Sequence, residues 1–362
     1  MNYEKNAIKH YEYLVSVAKT YKNRKKDLYF DSWMLYALCK YFTACGKPAA
    51  YADDIAKNVM NPGERFNESD PQSVKAYSIA AKALCIYSKT SFENSARKKA
   101  DEYYELLTDG FFLTTDRQMD DADLAHAYCG SLSALADLCD NDKQLTLKIA
   151  EYMLSSFRFE CFSNDSESMV NGAIGLLSLS SYNPQILQDV SQTAMLCAKE
   201  NSNADYTYNL SFTKHETADP AVTSLMLSLY TALYKKTGQR FFLYYARRVW
   251  FNGMQFFQRN GGFVGYNNAP RGDNLLYVKS YKEERRTPQF CEGLCAYEQN
   301  KELFIEEDTP VSKDYFGRYI MGDKVFGKEL GEYFGRDLIE IPSLLSFDEE
   351  TAQGFKFKLI FN

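Results

Sequence analysis

Stretches rich in small and apolar residues recur along this chain every 40 to 50 residues. They begin near Asp31 (DSWMLYALCKYF), Pro71 (PQSVKAYSIAAKALCIY), Asp121 (DADLAHAYCGSLSALADL), Glu167 (ESMVNGAIGLLSLS) and Thr217, and a sixth, FCEGLCAYEQN, begins at Phe290 after a longer gap. A repeat of that length is the length of a helical hairpin, a unit that buries its apolar face only by stacking on its neighbours. In the fifth repeat, Val222, Leu225, Met226, Leu227, Leu229, Tyr230 and Leu233 cover nearly every side of a helix, which marks it as buried. Lys235-Lys236-Thr237-Gly238 then supplies C-terminal charge and a glycine stop. The next helix sets Phe241, Tyr244, Tyr245, Val249 and Phe256 against Arg247 and Arg248, so one face is wet. Phe92, Ala96, Ala100, Tyr103 and Leu107 keep the same one-sided spacing between the second and third buried stretches. With Tyr3 to Tyr21 as the first outer member, about six inner and six outer helices alternate. The expected fold is an all-α (α/α)6 toroid.

The segments after the outer helices pair aromatics with turn-formers: DGFFLTTDRQMD from Asp109, RFECFSNDSE from Arg158 and NGGFVGYNN from Asn260. Gly261 to Arg286 reads as a β-hairpin inserted between the fifth and sixth inner helices. Beyond Phe304 the pattern shortens to strand-like pieces such as FKFKLIF. The expected organisation is a toroid over residues 1–304 and a small β-rich extension over 305–362 packed on it. A hydrophobic content of 45% with 25% charged residues is that of an ordinary globular chain. The net charge of −6 argues against a general nucleic-acid-binding surface. No apolar run approaches the roughly 18 residues that span a bilayer, and the N-terminus has no signal-peptide h-region, so a cytoplasmic chain is expected. Cys39, Cys85, Cys129, Cys139 and Cys197 fall within helical apolar patterns and read as reduced core thiols. Oligomeric state is not indicated.

Closing six hairpins into a ring gathers the starts of the inner helices at one end. Those starts carry Asp31 and Trp33, Asp70, Asp120 with Asp121 and Asp123, Glu167, Glu216 with Asp219, and Cys291 with Glu292. Each acid alone reads as a helix cap or dipole partner. As a set beside many aromatics they suit a carbohydrate, whose hydroxyls need hydrogen-bond partners and whose C–H faces pack on rings. The expected ligand-binding residues are Asp31, Trp33, Asp121, His126, Glu167, His215, Asp219 and Tyr266. His10, His126 and His215 form no H-E-x-x-H, and no Walker or dinucleotide-binding glycine motif occurs. Cys291 and Cys295 share a helical face, a spacing that two packed thiols explain without a metal.

Glu216-Thr217, the helix Val222 to Tyr234, Thr237-Gly238-Gln239-Arg240 and Ala246-Arg247-Arg248-Val249-Trp250-Phe251-Asn252 resemble the ETC, TG and ERALYN succession of the β-L-arabinofuranosidase-type glycoside hydrolases, family 127. Gly262 to Asn268 is similar to that family's aromatic strand, and Cys291 falls near its Cys-Cys pair. The resemblance implies a cysteine nucleophile held by zinc through a glutamate and two further cysteines, with another glutamate as acid/base. Carried over, Glu216 is the metal-binding glutamate, Cys291 the nucleophile or its neighbour, and Glu200 or Glu292 the proton donor. Ala218 stands where a ligand cysteine is required, and Glu292 where a second cysteine should follow Cys291. No zinc or other cofactor is therefore expected. Two other classes stay open: a non-catalytic carbohydrate-binding toroid, and a polysaccharide lyase or uronate hydrolase with Arg271, Arg285 and Arg286 as a basic clamp.

Overall fold

The computed structural model describes residues 6–20, 26–115, 122–156, 165–203, 206–211, 218–254, 258–259, 262–263, 286–304, 319–321 and 324–326. Among the described residues twelve α-helices alternate between two layers. The outer layer holds α1 (Asn6–Lys19), α3 (Ala52–Met60), α5 (Asn94–Thr115), α7 (Lys143–Ser156), α9 (Pro184–Glu200) and α11 (Arg240–Arg248). The inner layer holds α2 (Leu28–Cys45), α4 (Pro71–Ser91), α6 (Ala122–Asp137), α8 (Ser166–Leu179), α10 (Pro220–Thr237) and α12 (Cys291–Glu298). Each inner helix packs on the next, and α12 packs on both α10 and α2, which closes the ring. The expected (α/α)6 toroid is the observed fold.

Local chemistry starts and stops these helices. Asp27, Asp70, Asp165 and Asp219 are N-caps of α2, α4, α8 and α10, each accepting a backbone N–H from the first turn. Pro71 and Pro220 occupy first-turn positions where no N–H is needed. Gly46 and Gly238 end α2 and α10 with φ of 63° and 68°, a left-handed conformation that costs glycine little. The inner layer is buried almost without interruption. In α10 the run Pro220 to Leu227 has no exposed residue, and trimming a leucine such as Leu225 to alanine there costs about 2–5 kcal/mol. The layer closes tightly where residues are small. A Cβ on Gly172 of α8 would come within 2.7 Å of the Cys129 carbonyl oxygen in α6.

Two expected boundaries move. Phe92 does not belong to the apolar face of the outer helix. It is the left-handed C-cap of α4, with φ of 59°, and it is exposed. The Asp109-Gly110 turn is instead helical, because α5 runs on to Thr115. Gly110 is there for closeness, since a Cβ would come within 2.6 Å of the Tyr128 hydroxyl. The fifth repeat also begins with a strand. Ala218–Asp219 (β2) pairs antiparallel with Tyr208–Asn209 (β1) just before α10. Gln258–Arg259 (β3) pairs antiparallel with Gly262–Phe263 (β4), a ladder that starts ahead of the expected Gly261 to Arg286 insertion, of which only residues 262, 263 and 286 are among those described. Tyr319–Met321 (β5) and Lys324–Phe326 (β6) form one antiparallel ladder in the C-terminal extension. The rest of 305–362 lies outside the described residues. No described helix is long and apolar enough to cross a membrane.

Candidate functional site

The inner-helix starts bring together a compact charged cluster. Glu167 is in the first turn of α8, Tyr29 in the first turn of α2, and Asp219 caps α10. Arg286 and Gln289 arrive from the segment that ends in a 3-10 turn, Pro288–Phe290, ahead of α12. Arg286 bridges two acids: Nη1 donates to Glu167 Oε2 at 2.6 Å and Nη2 to Asp219 Oδ1 at 2.7 Å. On its other oxygen Glu167 accepts from the Tyr29 hydroxyl and, at 3.0 Å, from Gln289 Nε2, which also reaches the Tyr29 oxygen at 2.7 Å. Burial works against the Arg286 charge, but Asp219 and Glu167 outweigh it and hold the guanidinium protonated. Burial, followed by the Glu167 charge, pushes the Tyr29 hydroxyl well above the usual tyrosine range, so it stays a donor. One cation between two carboxylates leaves the cluster acidic. Glu167 is oriented from three directions, a preorganised acceptor rather than a mobile surface acid.

A narrow cleft of about 20 Å³ lies beside it, and Tyr29, Lys75, Ser78, Glu167 and Asn171 supply its polar lining. Lys75 is ion-paired to Asp165, the cap of α8. Burial opposes that carboxylate's charge, and Lys75 with the Ser168 hydrogen bonds still holds it below the usual range. Further along the inner helices lies a second ionic group. Glu292 is buried between Lys40, with which it pairs directly, and Lys82, whose Nζ is 3.6 Å away. Lys40 also donates to the Tyr36 hydroxyl at 3.1 Å, and both ammonium groups lie over the Tyr36 ring. Burial raises the Glu292 pKa, but Lys40 and Lys82 overcome it and pull the value down to about 2.

The sequence-derived site residues separate on this framework. Glu167 and Asp219 meet in the cluster. Glu292 does not fit the proton-donor role, because a carboxylate held at about 2 carries no proton near neutrality. Glu200 does not join either: it sits exposed at the end of outer helix α9, paired to Lys199 at 2.8 Å. Cys291 is wholly buried at the start of α12, and burial, with Glu292 beside it, pushes its thiol up. That is the state of a core thiol, not an activated nucleophile. Asp31 and His126 are buried within α2 and α6. Trp33 is also buried, edge-on to Tyr36 at 5.6 Å between ring centroids. Asp121, His215, Glu216 and Tyr266 lie outside the described residues, as do Arg271 and Arg285.

Zinc does not fit the described surroundings of Cys291. Its charged neighbours are two lysines and one glutamate already paired to them. Among the described residues no three His, Cys, Asp or Glu side chains converge as a metal site. Tyr29, Lys75, Ser78, Asn171 and Gln289 were not singled out from the sequence. A signal existed for some of them. Lys75, Ser78 and Lys82 fall three and four residues apart, a polar stripe along a helix otherwise marked as buried.

No protein-family model matches the chain, and no curated protein sequence matches it. Solved structures do. A cellobiose 2-epimerase from Bacillus thermoamylovorans superposes with a TM-score of 0.54 at 14% identity, covering 75% of this chain and 87% of that one. A glycosyl hydrolase family 88 protein from Bacteroides vulgatus does so with 0.54 at 10% identity, covering 80% and 99%. A family 127 β-L-arabinofuranosidase from Geobacillus stearothermophilus gives 0.53 at 10% identity, covering 82% of this chain and 59% of that one. At such identities these likenesses show the fold, and the chain is a six-hairpin toroid of the kind these proteins share.

Proposed function

We propose that this protein acts on a carbohydrate at the cleft beside Glu167, as a glycoside hydrolase-like enzyme. One observation carries the reading: Glu167, at the converged inner-helix starts, is fixed by Tyr29, Gln289 and Arg286 while its side chain still lines the cleft. A carboxylate so held suits a base, a nucleophile or an acceptor of sugar hydroxyls. Solved proteins on the same fold are named as a sugar epimerase, a glycosyl hydrolase and an arabinofuranosidase, which supports a sugar as ligand. The test is incubation with a panel of aryl glycosides and disaccharides, including β-L-arabinofuranosides, with product analysis that separates hydrolysis from epimerisation. Turnover should fall by about 10²- to 10⁴-fold in Glu167→Gln, the usual contribution of a positioned acid or base. Undiminished turnover in that variant sinks the assignment.

A non-catalytic binding role is the second reading. It is favoured by the pairing of both cluster acids with Arg286, an arrangement that serves binding without any chemistry. Sugar binding without turnover, surviving Glu167→Gln, would point to it. An Arg286 clamp for uronates is disfavoured, because both Nη atoms are already committed to carboxylates.

A further inference from the structure

Independently of the carbohydrate reading, we propose that Cys45 and Cys295 are an oxidation site, where a hydroperoxide converts the pair to a disulfide that bolts α12, the closing helix of the ring, to α2. Cys45 is the last residue of α2 and Cys295 lies in the middle of α12. The two helices pack on each other, and the Cys295 thiol donates a hydrogen bond to the Cys45 sulfur. Both are free thiols, Cys45 half-buried and Cys295 wholly buried. A half-open thiol backed by a second, sheltered one is the arrangement of a redox sensor with its resolving cysteine. Metal binding does not account for the pair, because among the described residues no three His, Cys, Asp or Glu side chains converge as a metal site.

Electrostatics assign the two sulfurs different roles. The hydrogen bond from Cys295 holds the Cys45 thiol below the usual cysteine range against its partial burial and the Glu298 charge, and Lys301 and Lys47 help. Burial, followed by the bond it donates, pushes Cys295 well above that range. Burial also pushes up the other described cysteines, Cys39, Cys85, Cys129, Cys139, Cys197 and Cys291. Cys45 is therefore the thiolate that attacks first. Its sulfur bonds to one oxygen of hydrogen peroxide, the O–O bond breaks, and the departing hydroxide takes up the proton that Cys45 released, leaving a sulfenic acid. The Cys295 sulfur then attacks that of Cys45. An S–S bond forms, the S–O bond breaks, and the second hydroxide leaves as water with the Cys295 proton. Two thiols and one peroxide give one disulfide and two waters, so two electrons pass from sulfur to oxygen. The bond closes a loop that runs almost the whole ring, and long loops lose the most freedom in the unfolded chain. For 362 residues the disulfide should raise the unfolding temperature by roughly 3–7 °C, from the usual range for a long loop and an unfolding entropy of about 2.1 cal/mol/K per residue.

The test uses the full chain, reduced with dithiothreitol, desalted and treated with hydrogen peroxide. Non-reducing peptide mapping by mass spectrometry should find a Cys45–Cys295 cross-link, and the thiol count after denaturation should fall by two. The oxidised protein should melt roughly 3–7 °C above the reduced one, and dithiothreitol should reverse the difference. In Cys45→Ser neither the bond nor the melting difference should form. Cys295→Ala should leave Cys45 as a sulfenic acid that dimedone traps, whereas Cys45→Ser should give no adduct on Cys295. Thiols that stay free, a bond mapped to another pair, or a dimedone adduct on Cys295 in Cys45→Ser overturns the assignment. A Cys45–Cys295 bond that leaves the unfolding temperature unchanged, or lowers it, overturns the bolt across the ring. Should Cys295→Ala not fold, the wild-type map and Cys45→Ser, at its half-buried position, decide alone.

Discussion

Replacing Arg286 by methionine keeps most of its volume and removes the cation between Glu167 and Asp219. Two largely buried carboxylates would then face each other, one still held by Tyr29 and Gln289 and the other by the α10 backbone. Breaking a buried pair by deleting one partner typically costs 3–5 kcal/mol. The Arg286 side chain is 19% exposed, so we expect the lower end, about 3 kcal/mol, with some relief from solvent screening. For 362 residues that lowers the unfolding temperature by roughly 4 °C, taking an unfolding entropy of about 2.1 cal/mol/K per residue. The deficit should also depend on pH in a defined direction. Without the cation, the two acids repel and their folded-state pKa values rise above the unfolded ones. A raised carboxylate pKa favours the folded state at low pH and disfavours it as pH rises, so the deficit should be larger at pH 8 than at pH 5. Adding Glu167→Gln removes one of the two like charges and should recover part of the loss, giving a coupling energy in a double-mutant cycle. Calorimetric melting of the four proteins at both pH values provides the measurement. A deficit that is absent, or equal at the two pH values and unaffected by Glu167→Gln, would refute the picture of a clamp.

Three further outcomes are expected. Glu292, held at about 2 against an ordinary 4.5, contributes stability that is present above pH 4.5 and lost as pH falls towards 2; acid unfolding followed by circular dichroism should be shallower across that window in Glu292→Gln, which lacks the titrating group. His10 is buried, bonded to the Tyr41 hydroxyl at 2.7 Å and the Thr287 carbonyl at 2.8 Å, and burial lowers its pKa to about 3. It is neutral when folded, so the stability it contributes is lost as pH falls from 6.5 towards 3, and its ring resonances should not titrate between pH 5 and 8. Purified protein should carry no stoichiometric zinc by elemental analysis, and its turnover should survive both chelation and Cys291→Ala; about one zinc per chain, lost with activity in that variant, would restore a thiolate mechanism.

The repeat was legible because burial on nearly every side of α10, and small residues in α6 and α8, are statements about packing that periodicity carries directly. Where the reading failed, a local cue had two physical meanings. Glycine at 110 marks close approach to Tyr128 rather than a turn, and Phe92 ends a helix instead of starting one. Within the site, Glu167 and Asp219 could be named because acids at inner-helix starts are conspicuous. Their linkage through Arg286 could not, since it joins residues 119 and 67 positions apart. The same limit misassigned Glu292, which starts the sixth inner helix as expected but faces two lysines that only the closed ring supplies.

The closing helix also sets a timetable for synthesis. The Lys40 to Glu292 bond spans 252 residues and the His10 to Thr287 bond 277. Translation at roughly 5–20 residues per second leaves the α12-facing side of α2 without its partner for about 13–50 s. During that interval each nascent chain presents the unsealed flank of an incomplete ring, long enough to meet a neighbouring nascent chain or a chaperone. The last inner helix to be made is the one that ends that exposure.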